Sequence, residues 1–345
     1  MTISFTTPLE LQKRLPARPI HKAFIQNSRQ TIRNILSGKD PRFLLIVGPC
    51  SIHDIKGAES YALRLKALAD EVKDSFFIVM RAYFEKPRTA LGWKGLMHDP
   101  MLDGTHQIER GFELSRKLLL FLAELNVPAG CEFLDPPLAL YNGDLISWGC
   151  IGARTTASQV HRQMASDLPM PIAFKNATDG SSESAVNGCL AASYPHAFLG
   201  LSLEGELHVH HSKGNPDTHV VLRGGNNKPN YDLNSVRKAF QLLHRSGLPE
   251  RILIDCSHDN CKKQHDLQRI VFETVIKQTL ESEASIYGLM LESYLNGGNQ
   301  PLKGSLENLH YGISITDPCL SFEETEEILR WGHHEIKTHA TYFRR

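Results

Sequence analysis

The sequence predicts an α/β protein, a (β/α)8 TIM barrel with an N-terminal helical extension and an inserted β-hairpin. Short apolar runs recur eight times, and their near-continuous hydrophobicity is typical of parallel strands buried on both faces. Amphipathic helical patterns lie between the runs. No Gly-rich dinucleotide loop or P-loop is present, which disfavours the alternative fold, a doubly wound sheet. The runs span residues 43–48, 76–83, 127–134, 145–153, 171–175, 196–203, 251–258 and 285–293.

The helical patterns have recognisable starts and stops. Ser321 followed by Glu324 forms a Ser-x-x-Glu capping box that opens a last helix after the eighth run. Gly247 and Pro249 end another helix. Apolar stripes at helical spacing mark three helices, with Tyr61, Leu65, Leu68 and Val72 on the first, Leu114, Leu118, Phe121, Leu122 and Leu125 on the second, and Val236, Phe240 and Leu243 on the third.

Two regions are additional to the eight strand–helix units that a minimal barrel requires. Residues 1–40 carry a helical segment that ends at Gly38, and they form the predicted extension. Residues 202–231 contain HVHH and VVLRGG and are predicted to be an insertion folded as a hairpin. The catalytic barrel is therefore predicted to comprise residues 41–345, with that insertion inside it.

Composition excludes several classes of function. Lys plus Arg and Asp plus Glu both number 38, so the net charge is zero, which argues against broad nucleic-acid binding. No apolar run approaches the roughly 20 residues of a membrane span. Seven cysteines form an odd number without a CxxC pair. We therefore expect no disulfide framework and a cytoplasmic location.

The predicted strands end in charged residues. In a barrel these ends meet at one rim, where active sites are built. Cations held together there repel one another unless an anion balances them, so the pattern predicts polyanionic ligands that carry phosphates and carboxylates. The cations that follow strand ends are Arg81, Lys86, Arg88, Arg154, Lys175 and Arg223.

A second set at strand ends suits a divalent transition metal. Its members are Cys50, His258, Glu292 and Asp317, which offer a thiolate, an imidazole and two carboxylates. The alternative for His258 is a hydrogen-bonded core histidine, and spacing alone leaves both possibilities open. The segment around His334 does not form the HExxH zinc motif, because the histidines at 334 and 339 are five residues apart rather than four.

Eight motifs in order resemble the type I 3-deoxy-D-arabino-heptulosonate 7-phosphate (DAHP) synthases. The resemblance runs from about residue 7 to about residue 335, and each motif falls where the strand pattern places a site residue. It implies the TIM barrel with an extension and an inserted hairpin, in agreement with the hydrophobic pattern. The motifs are GPCSIHD, RAYFEKPRTALGWKG, SWGCIGARTT, FKNATDG, LRGGNNKPNY, IDCSHDN, LESYLNGGNQ and YGISITD.

The resemblance implies a metal-dependent, aldol-like condensation of phosphoenolpyruvate with D-erythrose 4-phosphate and water. The products are DAHP and phosphate, in the first step of the shikimate pathway. The implied cofactor is a divalent ion (Mn²⁺, Fe²⁺, Co²⁺ or Zn²⁺), and the implied assembly is a homodimer or homotetramer with residues 1–40 as an oligomer or regulatory arm. The implied metal ligands are Cys50, His258, Glu292 and Asp317.

The resemblance also assigns substrate and catalytic residues. Arg88 and Thr89 match the clamp for the erythrose phosphate. Lys86, Glu132 and His258 are the candidate catalytic groups, with Lys86 a proton donor; whether Glu132 or another group activates the attacking water stays open. The residues that match the phosphoenolpyruvate site are Arg81, Lys86, Arg154, Lys175 and Arg223.

Two rival functions and two departures from the family pattern remain. The sister enzyme 3-deoxy-D-manno-octulosonate 8-phosphate synthase typically has a Lys-Ala-Asn-Arg-Ser clamp, whereas this chain has Lys-Pro-Arg-Thr at 86–89. A non-catalytic barrel should have lost site residues, and none is missing. The chain departs from the family pattern at residues 136–141 (PPLALY) and 167–169 (DLP), which the resemblance places around a feedback pocket. We therefore expect weak or absent inhibition by Phe and Tyr.

Overall fold

The computed structural model describes residues 5–281, 286–302 and 308–339. Eight parallel strands close into a barrel in the order β1-β10-β9-β8-β5-β4-β3-β2, which confirms the predicted fold. Two further strands pair outside it. The strands are β1 (Phe43–Gly48), β2 (Phe76–Arg81), β3 (Ala129–Glu132), β4 (Trp148–Ile151), β5 (Ile172–Lys175), β6 (Ala197–Leu201), β7 (Leu207–His211), β8 (His219–Leu222), β9 (Ile252–Asp255) and β10 (Ile286–Glu292).

Helices surround the barrel, as the alternating pattern predicted. The predicted capping box is present: the Ser321 hydroxyl accepts from the Glu324 backbone N–H, and the Glu324 carboxylate accepts from the Ser321 N–H. The helices in the described ranges are α1 (Pro8–Arg14), α2 (Pro19–Leu36), α3 (Ile55–Glu71), α4 (Ile108–Glu124), α5 (Ala139–Asn142), α6 (Gln159–Asp167), α7 (Glu183–Ser193), α8 (Leu233–Arg245), α9 (Gln268–Glu281) and α10 (Phe322–Thr338).

Helix α2 closes the bottom of the barrel. Its residues Ile32, Ile35 and Leu36 are fully buried and belong to one apolar cluster with side chains from the barrel strands, among them Leu44, Trp148, Val221 and Leu253. The buried Arg29 donates to the carbonyl oxygens of Gly143 and Ile146 at 2.7 Å. Because this end is apolar and sealed, any reaction chemistry is confined to the opposite rim.

The sixth barrel strand differs from the sequence-based expectation. The run 196–203 was counted as a barrel strand, but β6 pairs antiparallel with β7 in a separate two-stranded sheet, and β8 takes the sixth place in the barrel. The four residues of β8 are all buried, whereas β6 and β7 retain exposed residues. The inserted hairpin therefore begins at residue 197 and ends at 211, and the expected boundaries of 202–231 were wrong.

Some predicted regions extend beyond the described residues. Residues 1–4 of the extension and residues 282–285, 303–307 and 340–345 of the barrel domain lie outside them, and position 285 is the start of the last apolar run. In the portions that are described, no helix is both long and apolar enough to cross a membrane.

Candidate active site

Charged residues close the barrel strands at one rim. Arg81, Glu132, Lys175, Asp255 and Glu292 are the last residues of β2, β3, β5, β9 and β10, respectively. Because all eight strands are parallel, these ends meet at the carboxyl-terminal rim. The rim encloses a cavity, here called the rim cavity. Its lining includes Lys86, Arg88, Glu132, Arg154, Lys175, Arg223, His258, Lys263, Glu292 and Asp317.

Three of the four predicted metal ligands form a compact cluster. The ligand atoms of Cys50, Glu292 and Asp317 all lie within 4.8 Å of one another. The fourth, His258, lies beside them, with its Nε2 atom 4.0 Å from Glu292 Oε1. Its Nδ1 atom contacts the Ser257 hydroxyl at 2.7 Å and the carboxylate of Asp255 at 3.0 Å. These contacts orient the ring and leave Nε2 toward the cluster, an arrangement typical of metal-binding histidines.

The donor set of this cluster fits a divalent transition ion. It combines one sulfur, one imidazole nitrogen and carboxylate oxygens, the ligand types of first-row metals in proteins. Burial and the charge of Glu292 raise the pKa of the Cys50 thiol to about 11. Two carboxylates beside a buried thiol bring negative charges close together, and a cation bound between them stabilises this arrangement.

Lys86 links the cluster to the rim cavity. Its Nζ atom lies 3.1 Å from Cys50 Sγ and 3.3 Å from the Cys50 carbonyl oxygen. Burial opposes its charge, but Cys50, Glu292 and Asp317 more than offset that effect and raise the pKa of Lys86. The amine therefore carries a proton at neutral pH and lies where it can donate one.

Buried ion pairs hold three predicted substrate residues at the floor of the site. Arg81 Nη2 lies 3.0 Å from Glu292, and Lys175 Nζ lies 2.8 Å from Asp255. Arg223 Nη1 lies 2.8 Å from Asp259. Burial alone would raise the pKa of Asp255, but Lys175 and His258 hold it well below its usual value. The pairs restrict the geometry of each cation before any ligand binds.

Arg81 occupies a different position from the other predicted cations. It lies beneath Glu292, about 1% exposed, and its guanidinium also contacts Met290 Sδ at 2.8 Å. It is absent from the lining of the rim cavity. In this structure Arg81 orients Glu292, and its contact with substrate remains a prediction.

The mouth of the cavity carries the remaining cations. Arg154 Nε donates to the Thr89 hydroxyl at 3.0 Å, which connects the loops that follow β4 and β2. Arg88 Nε donates to the carbonyl oxygen of Trp93 at 2.7 Å. The predicted clamp residues Arg88 and Thr89 thus lie next to Arg154.

Glu132 reaches the cavity because residue 152 is a glycine. The Glu132 side chain is buried, and a Cβ atom on Gly152 would come within 2.1 Å of Glu132 Oε1. Any larger residue at position 152 would displace this carboxylate. The glycine of the GARTT motif therefore has a packing role against the candidate catalytic group.

Sequence reasoning missed two residues near the site. Lys263 lines the cavity; its position five residues after His258, in the same loop, could have indicated it. Glu85 is buried beside Lys86 and accepts hydrogen bonds from the backbone N–H groups of Leu134 and Asp135. Burial raises the pKa of Glu85 to about 8. A buried carboxyl of this kind has no signature in sequence.

A barrel with a candidate metal cluster and a cation-rich cavity at its carboxyl-terminal rim defines a class of TIM-barrel enzymes that act on polyanionic substrates. The model of the DAHP synthetase I family matches residues 17–330. The chain belongs to this family, which confirms the resemblance seen in its motifs.

Full-length relatives agree with this assignment. The Tyr-sensitive phospho-2-dehydro-3-deoxyheptonate aldolase of Escherichia coli K12 is 46% identical over 335 residues, which cover 97% of this chain and 94% of the relative. The Trp-sensitive enzyme of the same strain is 47% identical over 326 residues, covering 94% and 93%. A solved structure of the corresponding aldolase from Francisella tularensis SCHU S4 superposes with a TM-score of 0.95 at 39% identity, covering 100% of this chain and 99% of that one.

Proposed function

We propose that this chain catalyses the condensation of phosphoenolpyruvate with D-erythrose 4-phosphate and water to DAHP and inorganic phosphate, the first step of the shikimate pathway. Relatives of nearly equal length carry the name of this activity. The observation that carries the proposal is the rim cavity itself. It gathers the predicted cations Lys86, Arg154, Lys175 and Arg223 above a Cys/Glu/Asp cluster.

The buried cations would bind phosphoenolpyruvate. This substrate carries a phosphate and a carboxylate, and both need charged hydrogen-bond donors. Lys175 and Arg223 are held in place by Asp255 and Asp259, so little ordering remains when the ligand arrives. Arg154 approaches from the mouth and completes the anion site.

The clamp at the mouth would bind the aldose phosphate. Arg88 and Thr89 lie next to Arg154, so the two substrates would share one wall of the cavity. This adjacency favours attack by carbon 3 of phosphoenolpyruvate on the aldehyde carbon, because orientation in a shared site supplies much of the rate.

Cys50, His258, Glu292 and Asp317 would hold the divalent ion, with Mn²⁺, Fe²⁺, Co²⁺ and Zn²⁺ as the candidates. When bound, such an ion supplies Lewis-acid polarisation of an aldehyde oxygen. Lys86, charged and 3.1 Å from Cys50 Sγ, would donate a proton to the alkoxide that forms.

Glu132 is the candidate for activating water. Its carboxylate faces the cavity over Gly152 and lies on the β3 end, next to Arg154 and the β4 end. Water added at carbon 2 of phosphoenolpyruvate gives a hemiketal phosphate, from which inorganic phosphate leaves. Arg154, Lys175 and Arg223 would stabilise the departing phosphate by charge.

We further propose a reducing, cytoplasmic location and a homodimer or homotetramer in which residues 1–40 act as the arm. All seven cysteines are free, which supports the reducing compartment. Helices α1 and α2 of the arm pack against the rest of the same chain. In an oligomer, contacts between the arm and a second copy would add to this packed surface.

The experiment is a phosphate-release assay with phosphoenolpyruvate and either erythrose 4-phosphate or arabinose 5-phosphate. We expect turnover with the four-carbon sugar, loss of turnover in a chelator, and recovery with Mn²⁺ or Co²⁺. The variant His258→Ala should lose metal affinity while it remains folded, and His265→Ala, on the same loop but outside the cavity lining, is the matched control. Preference for arabinose 5-phosphate, or full turnover without metal, would contradict the proposal.

A further inference from the structure

Lys263 lies in the loop after β9 and lines the rim cavity. Its backbone is left-handed, with φ at +59°, and the preceding Lys262 has φ at +52°. Residues other than glycine rarely adopt this conformation, because the Cβ atom crowds the carbonyl oxygen. The Lys263 N–H donates to the His258 carbonyl oxygen at 2.8 Å, which holds the strained turn in place. The strained turn brings Lys263, but not Lys262, to the lining of the cavity, which points to a functional constraint at Lys263.

Apart from Lys86, which contacts Cys50, the cations in and beneath the cavity fall into two groups. The floor cations Arg81, Lys175 and Arg223 each form an ion pair with a buried carboxylate. At the mouth, Arg88, Arg154 and Lys263 form no ion pair with any carboxylate in the described part of the chain. These mouth cations therefore have charge available for an incoming ligand.

Lys263 faces the clamp across the barrel. In the closed order of strands, β9 lies opposite β3, and β3 is flanked by β2 and β4, whose loops carry Arg88 and Arg154. Lys263 on one side and Arg88 and Arg154 on the other all line the same cavity. A ligand in that cavity therefore lies between these cations.

We propose that Lys263 is a further substrate-binding residue, which neutralises the phosphate of the aldose phosphate from the side of the cavity opposite Arg88. The inference rests on the proposed function. A sugar phosphate is a dianion near neutral pH, and Arg88 supplies one charge. Lys263 supplies the second as a point charge on a long side chain that can reach into the cavity it lines.

The test is steady-state kinetics of the metal-loaded enzyme with Lys263→Met, Lys263→Arg and Lys262→Met. Lys262 is the matched control, because it is adjacent, exposed and similarly left-handed but absent from the cavity lining. Loss of one charged contact predicts at least a tenfold higher KM for erythrose 4-phosphate in Lys263→Met. We expect the KM for phosphoenolpyruvate to stay within twofold, Lys263→Arg to restore most of the loss, and Lys262→Met to match the parent.

The outcomes separate this inference from the proposed function. An inactive parent enzyme would overturn the proposed function and this inference with it. An active parent with an unchanged KM for erythrose 4-phosphate in Lys263→Met would overturn the role of Lys263 alone. A rise confined to the KM for phosphoenolpyruvate, or an equal rise in Lys262→Met, would also overturn it, and thermal melting of each variant would exclude misfolding as the cause.

Discussion

The rim cavity and a second cavity beside the hairpin have opposite chemistry. The rim cavity measures about 140 Å³ and is lined mainly by charged residues, whereas the second measures about 300 Å³ and is lined mainly by apolar ones. Two polar side chains in the lining of the apolar cavity, Asp167 and His210, approach each other to 3.3 Å. Size therefore does not identify the reaction site. Charge held at strand ends does, because ionic substrates need preorganised partners.

The two cavities share a wall. Residues 132–140 present Glu132 to the rim cavity and Pro136, Pro137, Ala139 and Leu140 to the apolar one. Between them, the Leu134 N–H contacts Glu85, and the Leu134 carbonyl oxygen lies 2.6 Å from Nε2 of His161 on α6. The two segments expected to depart from the family pattern, 136–141 and 167–169, contribute residues to the apolar cavity. The expected departures thus lie on one side of this wall, and the predicted site residues lie on the other.

The largest effect is expected from a variant that removes one charge of a buried ion pair in the rim cavity. Lys175→Met breaks a buried ion pair and leaves the Asp255 carboxylate with only His258 and Ser257 as side-chain partners; breaking a buried pair costs about 3–5 kcal/mol of unfolding free energy. We expect this loss in denaturant unfolding, together with loss of activity. The double variant Lys175→Met with Asp255→Asn should regain most of the stability but none of the activity. If Lys175→Met were as stable as the parent, the Lys175–Asp255 ion pair would not contribute the expected stabilisation.

The second prediction tests the apolar cavity. An aromatic amino acid brings an ammonium and a carboxylate, and both need polar partners when buried. Asp167 and His210 already pair with each other, so we expect weak or absent inhibition by Phe and Tyr. Phosphate release measured during a titration with each amino acid checks this. Strong inhibition at micromolar concentrations would contradict it and would show that the pair opens for a ligand.

The strand ends were predictable because apolar runs stop abruptly at charged residues. Glu132, Lys175 and Glu292 were placed correctly at the rim on that basis. The identity of the sixth strand was not predictable, because the runs at 196–203 and 219–222 are both apolar and only pairing with β5 and β9 selects between them.

Side-chain direction was the second limit of sequence reasoning. Arg81 and Lys175 both end strands, yet Arg81 lies beneath Glu292 whereas Lys175 lines the cavity. Lys263 depends on a strained loop whose conformation is not encoded in a hydrophobic pattern. Local sequence predicts where a strand ends, but tertiary packing decides what its last side chain faces.

The Cys/His/Glu/Asp cluster at the rim is proposed to hold the divalent ion beside the cationic cavity. The most direct measurement is anomalous diffraction from crystals of the enzyme soaked with Mn²⁺, with Cys50→Ser crystals as the comparison. We predict one strong peak bounded by Cys50, His258, Glu292 and Asp317, and a weaker peak in the variant. The exposed hairpin histidines His208 and His211 provide the contrast. A peak at the hairpin with none at the rim would contradict the account.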